Sequence, residues 1–196
     1  MLNIEITTYG EKTLSNMLEG VSGRCRDLRP FFEKTGSRIV LRSTAANIKA
    51  GGRPPWRKLA RSTMVQRAVL GYGAAAPMLV RTGRLLRSVS KKGDPNNVIR
   101  IDKLEMQIYS KLQVGRGHYL AEIHQKGSSH TRPAISGPLM HFFTGTGEEV
   151  FTRKVKAATI NIPARKIYAL QEAENRRIVF GMRRHILASA TEEGLI

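Results

Sequence analysis

The sequence predicts an α+β protein with N-terminal helices, a small antiparallel β-sheet built of hairpins, and a C-terminal helix. Three observations carry this reading. Apolar residues recur at spacings of three and four up to about residue 93 and again from Leu170. Between Val98 and Ile162 the period drops to two. Clusters of Gly, Pro, Asn and Asp separate the periodic stretches. At 196 residues the chain reads as one domain over 1–196, with a helical region over 1–93, a sheet-containing region over 94–169 and a helix over 170–190.

Leu2, Ile4 and Ile6 alternate with polar residues, a short strand signal. From Glu11 to about Leu28, Leu14, Met17, Leu18, Val21, Cys25 and Leu28 form one apolar stripe of an amphipathic helix. Pro30 suits the first turn of a second helix, which Gly51-Gly52 would stop. Pro54 and Pro55 make the next segment an extended connector. Ser62 or Thr63 would cap a helix reaching Leu70, and 71–77 reads as a mobile loop. Thr82 would cap a helix containing Leu85, Leu86 and Val89, ending in the turn Gly93-Asp94-Pro95-Asn96-Asn97.

Val98, Ile99 and Ile101 with Met106, Ile108 and Tyr109 predict a hairpin, and His118 to Lys126 a short helix closed by Gly127. The stretch 128–138 reads as a polar, Pro-containing, insertion-like loop. Leu139 to Phe143 and Glu149 to Val155 flank Gly145-Thr146-Gly147 as a second hairpin. Ala158 to Ile162 is a further strand stopped by Pro163. The last helix would bury Ile178, Val179, Met182, Ile186 and Leu187 on one face.

Charge narrows the class of partner. Thirty-three basic residues face fifteen acidic ones, a formal net charge of +18. Residues 51–100 hold eleven Lys or Arg against Asp94 alone, whereas 101–150 hold five of each sign. Such a surface attracts polyanions: nucleic acid, an anionic membrane or an acidic protein. A single cysteine, Cys25, rules out an intramolecular disulfide framework and suits a reducing compartment. Neither a signal peptide nor a run of about 20 apolar residues is present, so the expectation is a soluble cytoplasmic product with no membrane partner.

Catalytic and metal-binding patterns are weak. His118, His124 and His130 recur every six residues, which sets ligands on one helix about 120° apart instead of on a shared face. Cys25 sits on the apolar stripe with no base at a recognisable spacing, and Glu148-Glu149 reads as a solvated hairpin turn. The expectation is therefore no catalytic, cofactor-binding or metal-binding residues. Arg81, Arg84 and Arg87, spaced by three, could line one helix face and grip phosphates. Rings near them are sparse, Trp56 and Tyr72, so any nucleic-acid contact would be independent of sequence. Trp56 reads as a buried anchor.

Four ordered segments carry a resemblance: Pro55-Trp56-Arg57-Lys58-Leu59 with Ser62-Thr63, Leu79 to Ser88, Tyr119 to Gly127, and Pro163-Ala164-Arg165. Together they resemble the phage virion morphogenesis family, the tail completion proteins of Mu-like and P2-like contractile-tailed phages. Leu120 stands where the family pattern has Ala, and Lys166-Ile167-Tyr168 where it has Pro-Phe-Leu. The resemblance implies a structural protein and no enzyme. It would be a subunit of a ring, most simply hexameric, that caps the tail tube and takes part in head–tail joining. The implied partners are further copies, the tail tube protein and head–tail connector proteins. The implied location is the virion, at the head–tail junction, after assembly in the host cytoplasm. Trp56, Arg57, Lys58, Arg81, Arg84, Arg87 and Arg165 are the candidate interface residues, Arg165 through a salt bridge or subunit contact. The alternative is a basic protein that binds nucleic acid without sequence preference, including non-specific contact with DNA.

Overall fold

The computed structural model describes residues 11–192 apart from 73–76, 116, 145 and 147. The predicted strand at 1–6 and the heart of the predicted loop 71–77 lie outside the described residues. The fold is α+β, as the periodicities predict. It divides into two compact units: Met1–Ile39, Arg100–Gln107 and Glu172–Ile196, and Val40–Ile99 with Ile108–Gln171.

The first unit is helical. Helix α1 (Glu11–Arg26) packs on α7 (Glu172–Glu192), and a short α2 (Arg29–Phe31) with Pro30 in its first turn leads into a π-helical stretch, Phe32–Gly36. Leu28, Phe31 and Phe32 form the core, against which Ile101, Met106, Ile178, Met182 and Ile186 pack. Gly181 is where α7 comes closest: a Cβ there would stand 2.9 Å from the Phe31 ring. Of the apolar stripe predicted over 11–28, Met17 and Val21 are half-buried and only Leu28, just past the end of α1, is fully buried. Leu14, Leu18 and Cys25 are exposed, so the expected core cysteine is a surface one. Val179, predicted to face inward, is likewise exposed.

In the second unit the core is Ile48, Leu85, Val89, Leu112, Ala121 and Ile167. Ile48, Val89 and Ile167 are wholly enclosed, each contributing about 1.5–3 kcal/mol by burial. Apart from Leu112, in the connection that precedes α6, the core residues arrive on α3 (Ser37–Lys49), α5 (Arg84–Ser90), α6 (Leu120–Lys126) and the segment after β6 (Ala158–Ile162). Helix α4 (Arg61–Val69) follows the Pro54-Pro55 connector. The hairpin β1 (Asn97–Ile101) and β2 (Met106–Ser110) forms as predicted.

Two helix starts differ from expectation. The residue before α4 is Ala60, with no side-chain cap, instead of Ser62 or Thr63. The residue before α5 is Gly83, left-handed at φ 71°, instead of Thr82. A left-handed residue at that point turns the chain into the helix without a hydroxyl cap. The largest difference is the stretch 128–138, which is strand and not loop: β3 (Ser128–Arg132) and the start of β4 (Ile135–Phe143). Its side chains are exposed on both faces, so it carries none of the polar–apolar alternation by which strands are read.

Candidate functional site

The segments that carry the family resemblance meet in the second unit, where several hold the fold together. Trp56 is half-buried against the core, and its backbone N–H donates to the Gly51 carbonyl at 2.8 Å. Asn47 donates from Nδ2 to the Lys166 and Ile167 carbonyls at 2.6 and 2.9 Å. Gln125 Oε1 accepts the Ile167 and Tyr168 N–H groups at 2.7 and 3.1 Å. The chain after Pro163-Ala164-Arg165 is thus fixed by two amide side chains, and the departure Ile167 is as buried as any residue of the core. Ser88 donates to the Leu85 carbonyl and accepts from Ser110 Oγ, a satisfied buried pair. The local reason for Gly127 is plain: its φ is 78°, and a Cβ would stand 2.9 Å from both Ala164 N and Ile162 O.

The basic candidates separate by exposure. Arg57, Lys58, Arg81, Arg84 and Arg87 are exposed. Arg81 precedes α5 and lies over the Tyr72 ring at 5.4 Å, so the three arginines do not share one helix face. Arg81 and Arg84 do line a common cavity of about 440 Å³ with Leu85, Leu112, Leu120 and His124. Arg165 is different: only 7% exposed, with its Nε lacking a partner among the described residues. Burial lowers its pKa, and no described carboxylate offsets that.

His124 stands beside it. Burial, with a lesser contribution from the Arg165 charge, pushes the imidazole from its ordinary 6.5 down to about 4. Between these values the unfolded chain takes up a proton that the folded unit refuses. Stability therefore falls as pH drops from about 6.5 to about 4, by up to roughly 3 kcal/mol at 1.36 kcal/mol per pH unit, and is unaffected above that window. Urea unfolding at pH 7.5, 5.5 and 4.5 should show this loss, and His124→Gln should flatten it. An equal slope in both proteins would refute the assignment.

The least anticipated surface is a β-ribbon. Strands β3 and β6 pair antiparallel from Ser128↔Ile162 to Arg132↔Ala158. Strands β4 and β5 (Glu149–Val155) take over at Ile135↔Val155 and Ser136↔Lys154 in the same register. The two ladders are one ribbon, about 50 Å long at roughly 3.3 Å per residue. Past Ser136 the register shifts by two, because Met140 faces Thr152, and Gly137-Pro138-Leu139 bulge out of β4. Each of these strands pairs on one side only among the described residues. Toward the tip, His141 stacks on Phe151 at 4.6 Å and meets Phe143 edge-on at 4.9 Å. Leu139, Phe151 and Phe142 stay 61%, 56% and 40% exposed. Helix α4 contacts β4, and elsewhere the ribbon carries exposed apolar side chains and strand edges without a backbone partner among the described residues.

No helix among the described residues is long and apolar enough to cross a membrane. No curated protein and no solved structure matches the chain. The model of the phage virion morphogenesis family, however, matches residues 10–187, a span that takes in most of the first unit, the whole of the second, all four motif segments and the ribbon. The chain belongs to the phage virion morphogenesis family.

Proposed function

We propose that this protein is a tail completion subunit: a structural, non-enzymatic ring component that caps the tail tube and takes part in joining tail to head. The observation that supports the reading is the exposed ribbon of 128–143 with 149–162, which carries exposed apolar side chains and, among the described residues, strand edges without a partner. A ring subunit needs two different surfaces that meet head to tail, and a closed sixfold ring would match a sixfold tube. The exposed cations Arg57, Lys58, Arg81, Arg84 and Arg87 supply a surface complementary to an acidic tube or connector partner. In this reading Trp56 and Arg165 support that surface from within.

Native mass measurement of the purified protein, alone and with tail tubes, at low and moderate salt, tests the proposal. The expected result is a discrete ring, or a stoichiometric cap on tube ends that survives moderate salt. A monomer that ignores tubes but shifts on any duplex DNA would overturn it in favour of non-specific nucleic-acid binding.

A further inference from the structure

The first unit contains a groove of about 840 Å³ formed by α1, α2, the π-helical stretch, the start of α3 and α7. Its cations are Arg24, Lys34, Arg38, Arg177 and Arg184, with His185 beside them. Asp27 is its one carboxylate, and that group is already occupied: hydrogen bonds from Arg29 hold it down at about 2. Among the described residues, Lys34, Arg38, Arg177 and Arg184 have no carboxylate partner. The groove is not purely polar. Phe31 contributes to its wall and Phe180, 67% exposed, stands at its side. A complementary ligand therefore carries carboxylates next to aromatic or apolar groups. Bare phosphate backbone would satisfy the cations and leave Phe180 in water.

The tip of the ribbon has that chemistry. Glu148 and Glu149 are adjacent exposed carboxylates on a chain of net charge +18, flanked by Phe142, Phe143 and Phe151. Glu149 Oε2 lies 3.7 Å from His141 Nε2 at the surface, a contact that leaves it accessible. We infer that the acidic, aromatic ribbon tip of one copy docks in the basic groove of a second copy. The two surfaces differ, so the contact is heterologous, the kind that propagates head to tail and closes into a ring. Opposite charge would select this pairing over the many repulsive ones open to two such basic copies. The inference rests on the ring reading and names the contact that would build it.

Charge exchange tests it. Sedimentation velocity should show that Glu148→Lys with Glu149→Lys, and separately Arg38→Glu with Arg184→Glu, each weaken self-association by at least about tenfold. All four substitutions in one chain should restore it. Thermal unfolding at the wild-type temperature shows that each variant is folded, as expected for exposed sites. Either pair associating like wild type, or no recovery in the combined variant, overturns the contact while leaving a ring that still forms intact. Loss of duplex DNA binding by the groove variant with unchanged self-association would assign the groove to nucleic acid and overturn it too. A wild-type protein that never associates, with or without tubes, removes this contact and the ring reading together.

Discussion

Gly127→Ala is expected to destabilise the second unit by about 3 kcal/mol or more, the sum of a left-handed φ and a backbone clash. Conformation and clash act together. At φ 78° and ψ 171° the backbone lies in a region essentially reserved for glycine, a strain of about 1–3 kcal/mol for alanine, and its Cβ would also lie 2.9 Å from Ala164 N and Ile162 O. Neither atom can swing aside as a side chain would, because Ile162 is paired with Ser128 at the end of β6 and the Arg165 N–H, one residue after Ala164, donates to the His124 carbonyl. Gly115→Ala is the control: its φ is 66° and nothing stands within 4 Å of the added methyl. Urea unfolding should give a loss near 1 kcal/mol for the control and a much larger one for Gly127→Ala. Equal losses would mean that conformation alone, and not the approach of Ala164, dictates glycine at 127.

The second large effect is on assembly and leaves the fold alone. Replacing Leu139, Phe142 and Phe151 together by serine removes the three most exposed large apolar groups of the ribbon while leaving the buried core of the second unit unaltered. Stability should change by less than about 1 kcal/mol, since exposed side chains contribute little burial to the isolated chain. Assembly should fail outright, because those side chains would be the ones a partner covers. Complementation of a phage lacking the protein, scored as infectious particles and as joined heads and tails by microscopy, reads this directly. Normal particle yield from the triple variant would show that the ribbon is not an assembly surface.

How much of this was legible in advance follows from where each signal comes from. Helix α7, the β1–β2 hairpin and the stop at Gly127 were readable because period and turn residues act locally. The π-helical stretch Phe32–Gly36 left no trace in the periodicity, and the Thr82 cap was displaced by one residue to Gly83. Strand β3 was read as loop because strand prediction depends on one face being buried, and neither face of this ribbon is. Leu14, Leu18, Cys25 and Val179 fall on an apolar stripe that the first unit leaves exposed. Among the basic candidates, Arg165 looked like Arg84 in the sequence, yet one is enclosed and the other exposed.

The sequence by itself determined the fold class, the basic character and the family, through motifs whose residues fix turns within a few positions of themselves. The tertiary structure alone decided which charges remain at the surface, that two separate ladders join as one ribbon, and that cations from four helical segments line one groove. The physical reason is range. Turn chemistry and periodicity are set by neighbours along the chain, whereas exposure and charge clustering depend on residues that only folding brings together.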